Sequence, residues 1–456
     1  MDNLNIGFGQ ADITPKGSVA MIGLYSTRVT REVGTPLQAV ALAISAGDSA
    51  PVYWAACDLL YITDTLIHAV CRRLTRQLPD FHRSQLMLSA THIHTGPFLK
   101  ERTDTTLLSF PHNAGDALSP KECCEQAADG ITAAILAAIA DQEPVRTART
   151  ACEITTGYCR RVVFRDGTAQ MYGDVHNDTF SHLECRDGGP SRFVYVYRDA
   201  DHFLKGVIAD IPCTAQVDVK TAYQHADYWH FTRECVKKEL NVPIFGICAC
   251  AGDLSPRDLY EEGPIDRTSE MQALGLRIGQ AIVQTAATVT NTDEPAFSHV
   301  FREPRLPRWN PTPAEYQRAK AICKQLYRDY SFEPGQSPFH TPGFPKYLYS
   351  DAEVTVKRFK EQIPQVRAPI HALRIGQAVF ITNPFECFVA YGDRIKAALP
   401  ELDLFDVQLT DDYLGYLPTK EAVHGGGYSA CLYNGSCSPV GGDQLVEESV
   451  RLLKMI

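Results

Sequence analysis

Apolar residues in this chain fall mostly in short runs broken by polar turns, and only a few longer stretches keep a helical spacing. Near the start the runs read as strands: Gly7-Phe8-Gly9, then Asp12-Ile13-Thr14-Pro15, then Leu37 to Ile44. Val52-Tyr53-Trp54-Ala55-Ala56-Cys57-Asp58 is a mostly apolar strand ending in an acid, Thr63 to Leu78 has helical spacing, and Leu86-Met87-Leu88 is the next apolar run. Strand, helix, strand in that order predicts a βαβ unit in a largely parallel or mixed sheet. Further on, Lys121 to Ala140 is alanine-rich and helical, while Val145 to Thr156 and Phe193 to Tyr197 are strands. Gly206 to Ala209 leads into Asp210-Ile211-Pro212-Cys213. A helix over Tyr228 to Leu240, a strand over Val242 to Ala249 and a long helix over Ser269 to Thr288 follow. Strands return at Ile370 to Ile375 and Ala378 to Thr382. A helix is expected from Glu386 to Leu399 and a last one from Asp443 to Ile456, after Gly425-Gly426-Gly427.

The expected fold class is therefore α/β, mixed sheets with flanking helices, in a single catalytic domain over residues 1–456. Polar residues 100–119 suggest a flap. Residues 301–350, rich in proline and aromatic residues around one helix at Pro313 to Tyr330, suggest a lid or insertion.

Composition is that of an ordinary globular protein, and the formal net charge of -10 argues against a general nucleic-acid binder. No stretch of about 18 apolar residues marks a membrane span, and Met1 to Asn5 lacks the basic region of a signal peptide. The fifteen cysteines are scattered and form no pair of Cys-x-x-Cys knuckles. Reduced thiols and a cytoplasmic location are the expectation, not a disulfide framework or a zinc ribbon.

The candidate chemistry centres on Ser89-Ala90-Thr91-His92-Ile93-His94-Thr95-Gly96-Pro97, at the end of a strand. Alternate strand residues share a face, so His92 and His94 are expected to point into one cleft. One neutral imidazole there can bind a metal while the other holds a proton or a substrate oxygen. Two hydrogen-bonded histidines on a polar strand end would leave the same short pattern.

Four more stretches occur in order with that one: Ala251-Gly252-Asp253-Leu254-Ser255-Pro256, Asn383-Pro384-Phe385-Glu386, Asp411-Asp412-Tyr413-Leu414-Gly415-Tyr416, and an opening turn Gly7-Phe8-Gly9-Gln10-Ala11-Asp12-Ile13-Thr14-Pro15. Together they resemble the neutral ceramidase family of zinc-dependent amidases over nearly the whole chain. The resemblance implies zinc ligands at His92, Glu386 and Tyr416, and substrate contacts at His94 and Tyr428. It also implies a catalytic role for Ser255 and a hold on the substrate carbonyl region by Arg160. A cation near Tyr416 would lower its phenol pKa and permit ligation. Read from the residues alone, Glu386 is equally a helix N-terminal acid, the tyrosines core or rim residues, and Ser255 a turn residue with no evident partner histidine.

Where the family has a second zinc histidine, this chain has Asp210-Ile211-Pro212-Cys213-Thr214-Ala215-Gln216. Cys213, His225 and Asp210 are the candidate replacements, or the metal is lost. A thiolate in place of an imidazole adds negative charge and makes a weaker Lewis acid. The family's secreted members carry an additional β-sandwich domain, which this chain does not show. A small soluble amide is therefore the expected substrate in place of a membrane lipid, cleaved by zinc-activated water. Metal-assisted acyl transfer or cyclisation in a biosynthetic pathway is the second reading, and a non-catalytic binding protein with a degenerate site the third.

Overall fold

The computed structural model describes residues 3–24, 28–100, 114–263, 266–289, 292–330 and 343–456. Leu4–Asp12 (β1), Gln38–Ala46 (β2) and Val52–Cys57 (β3) are buried on both faces, and each face meets a different neighbour. Ile6, Phe8, Val40, Leu42, Ile44, Val52 and Trp54 enter one core. Their neighbours Ala39, Ala41, Ala43, Tyr53, Ala55 and Cys57 enter another. The chain continues through the helix Asp64–Gln77 (α1), Leu86–Ala90 (β4), the helix Pro120–Ala140 (α2), Glu143–Cys152 (β5), Ser191–Arg198 (β6) and Leu204–Ile211 (β7). Tyr228–Leu240 (α3), Ile244–Cys248 (β8) and Arg267–Ala286 (α4) complete this half.

The eight strands form one sheet in the order β8-β7-β6-β5-β1-β2-β3-β4. Its outer pairs, β7 with β8 and β3 with β4, are parallel and span helical crossovers. The inner pairs are antiparallel. The expected βαβ unit is thus present, as β3-α1-β4, in a mixed sheet. Helices α1 to α4 supply the core on its outer face. Against β1 the alanine-rich α2 sits directly on the strand backbone: a Cβ on Gly7 would lie 2.0 Å from the Ala138 carbonyl oxygen, and one on Gly9 2.1 Å from that of Ala134. By length and composition alone α2 is apolar enough to cross a membrane, but half of its most apolar window is buried here.

A second sheet, Phe297–Arg302 (β9), Ile370–Ile375 (β10), Ala378–Thr382 (β11) and Asp403–Val407 (β12), runs in that order. Leu373, Ile375, Phe380 and Phe405 from this sheet share the core of Ile6 and Trp54, so the two sheets pack face to face. Trp54 lies edge-on to Phe245 at 4.8 Å and to Phe380 at 5.3 Å. The far face, with Ala372, Val379, Ile381 and Leu404, is covered by Val389–Ala398 (α7) and Pro439–Leu453 (α8). The layers run helices, sheet, sheet, helices.

Two details depart from the sequence reading. Glu386 does not open a helix; Glu386–Cys387 pairs in parallel with Tyr416–Leu417, and α7 begins only at Val389. The 301–350 segment contains the expected helix, Pro313–Asp329 (α5), but also the start of an unexpected one, Lys346–Glu361 (α6), packed on it. Residues 331–342 and 101–113, which carry much of the expected lid and flap, lie outside the described residues.

Candidate functional site

The chain leaves β4 at Ala90, and His92 adopts a left-handed backbone with φ 64°, a costly conformation for a side chain with a Cβ. Its surroundings hold it there. Thr91 donates its backbone N–H to Cys57 and its hydroxyl to Asp58, whose carboxylate is gripped by Arg233 from α3 at 2.6 and 2.8 Å. His92 and His94 are therefore on a turn and not on alternate strand positions, yet they meet edge to face with ring centroids 5.0 Å apart.

Each imidazole has one nitrogen committed. His92 Nδ1 lies 2.9 Å from the Leu60 carbonyl oxygen and His94 Nδ1 lies 3.0 Å from that of Gly23. A carbonyl only accepts, so both Nδ1 atoms carry a proton. Both Nε2 atoms are buried without a hydrogen-bond partner. Burial, reinforced by His92, depresses the His94 pKa to about 3 and keeps the ring neutral. A neutral ring with Nδ1 protonated accepts at Nε2. Gly23 has φ 106°, and a Cβ there would strike the His94 backbone, so only glycine can offer this carbonyl.

Glu386 Oε2 faces His92 Nε2 at 3.5 Å. Its other oxygen accepts from the Tyr413 hydroxyl at 2.8 Å. Burial alone would raise this carboxyl, but His92, the Tyr416 hydroxyl and the Arg160 charge together hold it down to about 2. Tyr416 is buried beside that carboxylate, and both effects push its phenol well above the ordinary value, so it is a neutral donor. Arg160 reaches the same point, donating from Nη2 to the Gly252 carbonyl at 2.9 Å and to Tyr416 Oη at 3.2 Å, and from Nη1 to Tyr172 Oη at 3.3 Å. Its Nε–H is buried without an acceptor. The short pairing of Leu254–Ser255 with Tyr158–Cys159 places Arg160 there. Tyr428 packs its ring edge-on to Tyr416 at 5.7 Å, with its phenol raised by burial.

A cavity of about 680 Å³ opens beside these groups. His94, Arg160, Ser255, Glu386, Tyr416 and Tyr428, all read from the sequence, are on its wall. Ser255 is turned back on its own loop: its Oγ accepts from the Arg257 N–H at 3.2 Å and donates to the Arg257 carbonyl at 3.4 Å. Sequence reasoning passed over Tyr413, Tyr172 and Gln216, which also face the cavity. Tyr413 stood within a stretch already singled out. Its stacking on Tyr61, with centroids 4.4 Å apart, explains its aim at Glu386.

Of the three candidates for the missing ligand, Cys213 and His225 are otherwise engaged, whereas Asp210 keeps a buried Oδ1 without a hydrogen-bond partner. Cys213 is fully buried with its thiol on the Thr214 carbonyl oxygen at 3.4 Å, and burial raises it well above the ordinary thiol pKa. His225 uses both ring nitrogens, Nε2 on the Asp218 carbonyl oxygen and Nδ1 accepting the Asp227 N–H. Burial and nearby Asp406 push the Asp210 carboxyl up to about 8. Among the described residues no three His, Cys, Asp or Glu side chains cluster to hold a metal. His92 and Glu386 nonetheless fit one end of such a site. Two donors about 2.0–2.2 Å from a tetrahedral zinc stand about 3.4 Å apart, close to the 3.5 Å seen between their facing atoms. The bond from His92 Nδ1 to Leu60 supplies the orienting contact a metal-bound imidazole needs.

No family model matches the chain, and no curated protein matches it. Solved structures do. The crystal structure of neutral ceramidase from Pseudomonas aeruginosa superposes with a TM-score of 0.73 at 19% identity, covering 100% of this chain and 75% of that one. A ceramidase complexed with C2 gives 0.71 at 18% identity, covering 99% of this chain and 75% of that one. The resemblance read from the five stretches holds at the level of the fold.

Proposed function

We propose that this chain, built on the fold of the neutral ceramidases, hydrolyses an amide bond in a small molecule. The observation that carries the reading is the convergence, in one cavity, of an unpartnered neutral imidazole nitrogen with a buried guanidinium and phenols. The substrate carbonyl would enter beside Arg160 and Tyr416. Water adds to the carbonyl carbon while His94 Nε2 takes its proton. The oxyanion then accepts hydrogen bonds from the Arg160 Nε–H and from the Tyr428 hydroxyl. Collapse breaks the C–N bond, and the proton passes from His94 to the departing nitrogen, leaving a carboxylic acid and an amine. Glu386, whose oxygens face Tyr413 and His92, serves to hold positive charge.

A zinc ion is part of this proposal. His92, Glu386 and Tyr416 would hold it, and it would polarise the carbonyl and acidify water. The test is amine release from a panel of small N-acyl amides, with metal content measured on the same preparation. His94→Ala should lower kcat by about 10²–10⁴-fold, and His92→Ala should lower bound zinc. A wild-type protein that cleaves no amide after zinc loading would sink the reading.

A further inference from the structure

The cavity wall extends beyond the groups just described. Loop residues Val217 to Lys220, the turn after Ser255 and the first residue of α4 line the same space. They bring Lys220, Arg257 and Arg267 to it. The wall is one assembly: Thr268 donates to Asp218 Oδ2 at 2.9 Å, tying loop to helix, and Arg28 bridges the Val219 carbonyl at 2.7 Å and the His94 carbonyl at 2.8 Å.

The charge of this cavity is unusual for the chain. The protein is acidic overall, at -10, yet among the described residues Lys220, Arg257, Arg267 and Arg160 share the wall with two carboxylates, Asp218 and Glu386. Arg267 pairs with Glu270 at 2.7 Å. Lys220 and Arg257 are exposed and, among the described residues, have no carboxylate partner. Arg160 donates only to neutral oxygens. The nearby acids Asp258 and Glu261 line an adjoining groove with Glu270, which shares Val217 and Pro256 with this wall. A cleft in which one sign of charge predominates, within a body of the other, concentrates ligands of opposite sign. Elsewhere the wall is apolar, at Leu24, Leu60 and Met171.

We infer that the substrate is an amphipathic anion: an amide with an apolar part and a carboxylate or phosphate that binds at Lys220 and Arg257. An N-acyl amino acid has this chemistry; a neutral lipid amide does not. The inference rests on the amide-hydrolase reading for its chemistry but on separate residues for its charge.

The experiment compares N-acetylphenylalanine with N-acetylphenethylamine, which lacks the carboxylate, and with N-acetyl-O-phosphoethanolamine. Each is assayed for cleavage and titrated calorimetrically against the full chain. At least one anion should be preferred over the neutral amide by about tenfold or more in kcat/KM, with the preference reduced at high salt. The better of the two anions identifies carboxylate or phosphate. Arg257→Glu, and separately Lys220→Ala, should raise KM for that anion more than they lower kcat. Equal or better cleavage of the neutral amide overturns the inference and leaves the hydrolase reading standing. If no compound is cleaved, the hydrolase reading falls and the titrations decide: anion-dependent binding weakened in Arg257→Glu supports the inference, and equal binding of anion and neutral amide overturns it.

Discussion

His94 commits its Nδ1 proton to Gly23 and leaves Nε2 bare, and this single choice fixes its role and its response to acid. In the unfolded chain an ordinary histidine titrates near pH 6.5, whereas burial holds this one to about 3. The stability it contributes is therefore complete above pH 6.5 and is lost as pH falls toward 3, because only the unfolded chain takes up the proton. His94→Gln should gain ground on wild type at pH 5 relative to pH 7.5, read as the difference in urea midpoints; a constant difference would show that the ring is not held neutral. Tyr413→Phe removes the 2.8 Å hydrogen bond to buried Glu386. A loss of about 1.5–3 kcal/mol in unfolding free energy is expected, together with a rise in the carboxyl pKa, and an unchanged midpoint would argue against the bond. Committed atoms also explain what residue identities could not reveal. Cys213 and His225 are competent ligands by type, but Thr214, Asp218 and Asp227 already hold their polar atoms.

Elements were legible where two faces of a segment differ or where a turn carries unusual residues. The βαβ unit of β3, α1 and β4 followed directly from apolar runs bracketing a helical period. The strand reading of His92 and His94 failed because a left-handed residue ends the pleat, and nothing in a histidine announces that conformation. Glu386 looked like a helix N-terminal acid because the helix does follow; two residues of strand pairing with Tyr416–Leu417 intervene and aim its carboxylate into the cavity. Helix α6 lay in a segment rich in proline and aromatic residues that was read as an insertion around a single helix. The contact of α2 with β1 is the tightest place to test an element. Gly9→Ala would set a methyl carbon against the Ala134 carbonyl, and a loss of about 3 kcal/mol should follow, measured by urea unfolding. A variant within about 0.5 kcal/mol of wild type would mean the helix can back away.

At the scale of the whole molecule, the sequence disclosed the two sheets but not that they lie on each other. Strands such as β2 and β3 are apolar on both faces, so their pattern cannot say whether a helix or a second sheet covers each one. The site was legible mainly through five stretches in order, because four of them sit at a strand end or on a short pairing that opens on the same cavity, while Gly7 to Pro15 belongs to β1 and its end. Its charged rim was not read, since Lys220, Arg257 and Arg267 come together only when a loop, a turn and a helix are packed.

The bond from Leu88 to Asp411 joins residues 323 positions apart, and that from Arg160 to Tyr416 joins residues 256 apart. Contacts of such long range form late, because the intervening chain must surrender its freedom before they give anything back. Helices and the β3-α1-β4 unit can form from neighbouring sequence, but the cavity cannot exist until the last hundred residues have docked. On dilution from denaturant, far-ultraviolet circular dichroism should therefore recover ahead of ligand binding, with a lag that no increase in ligand abolishes. Simultaneous recovery of both signals would mean that the two sheets meet before their strands are complete.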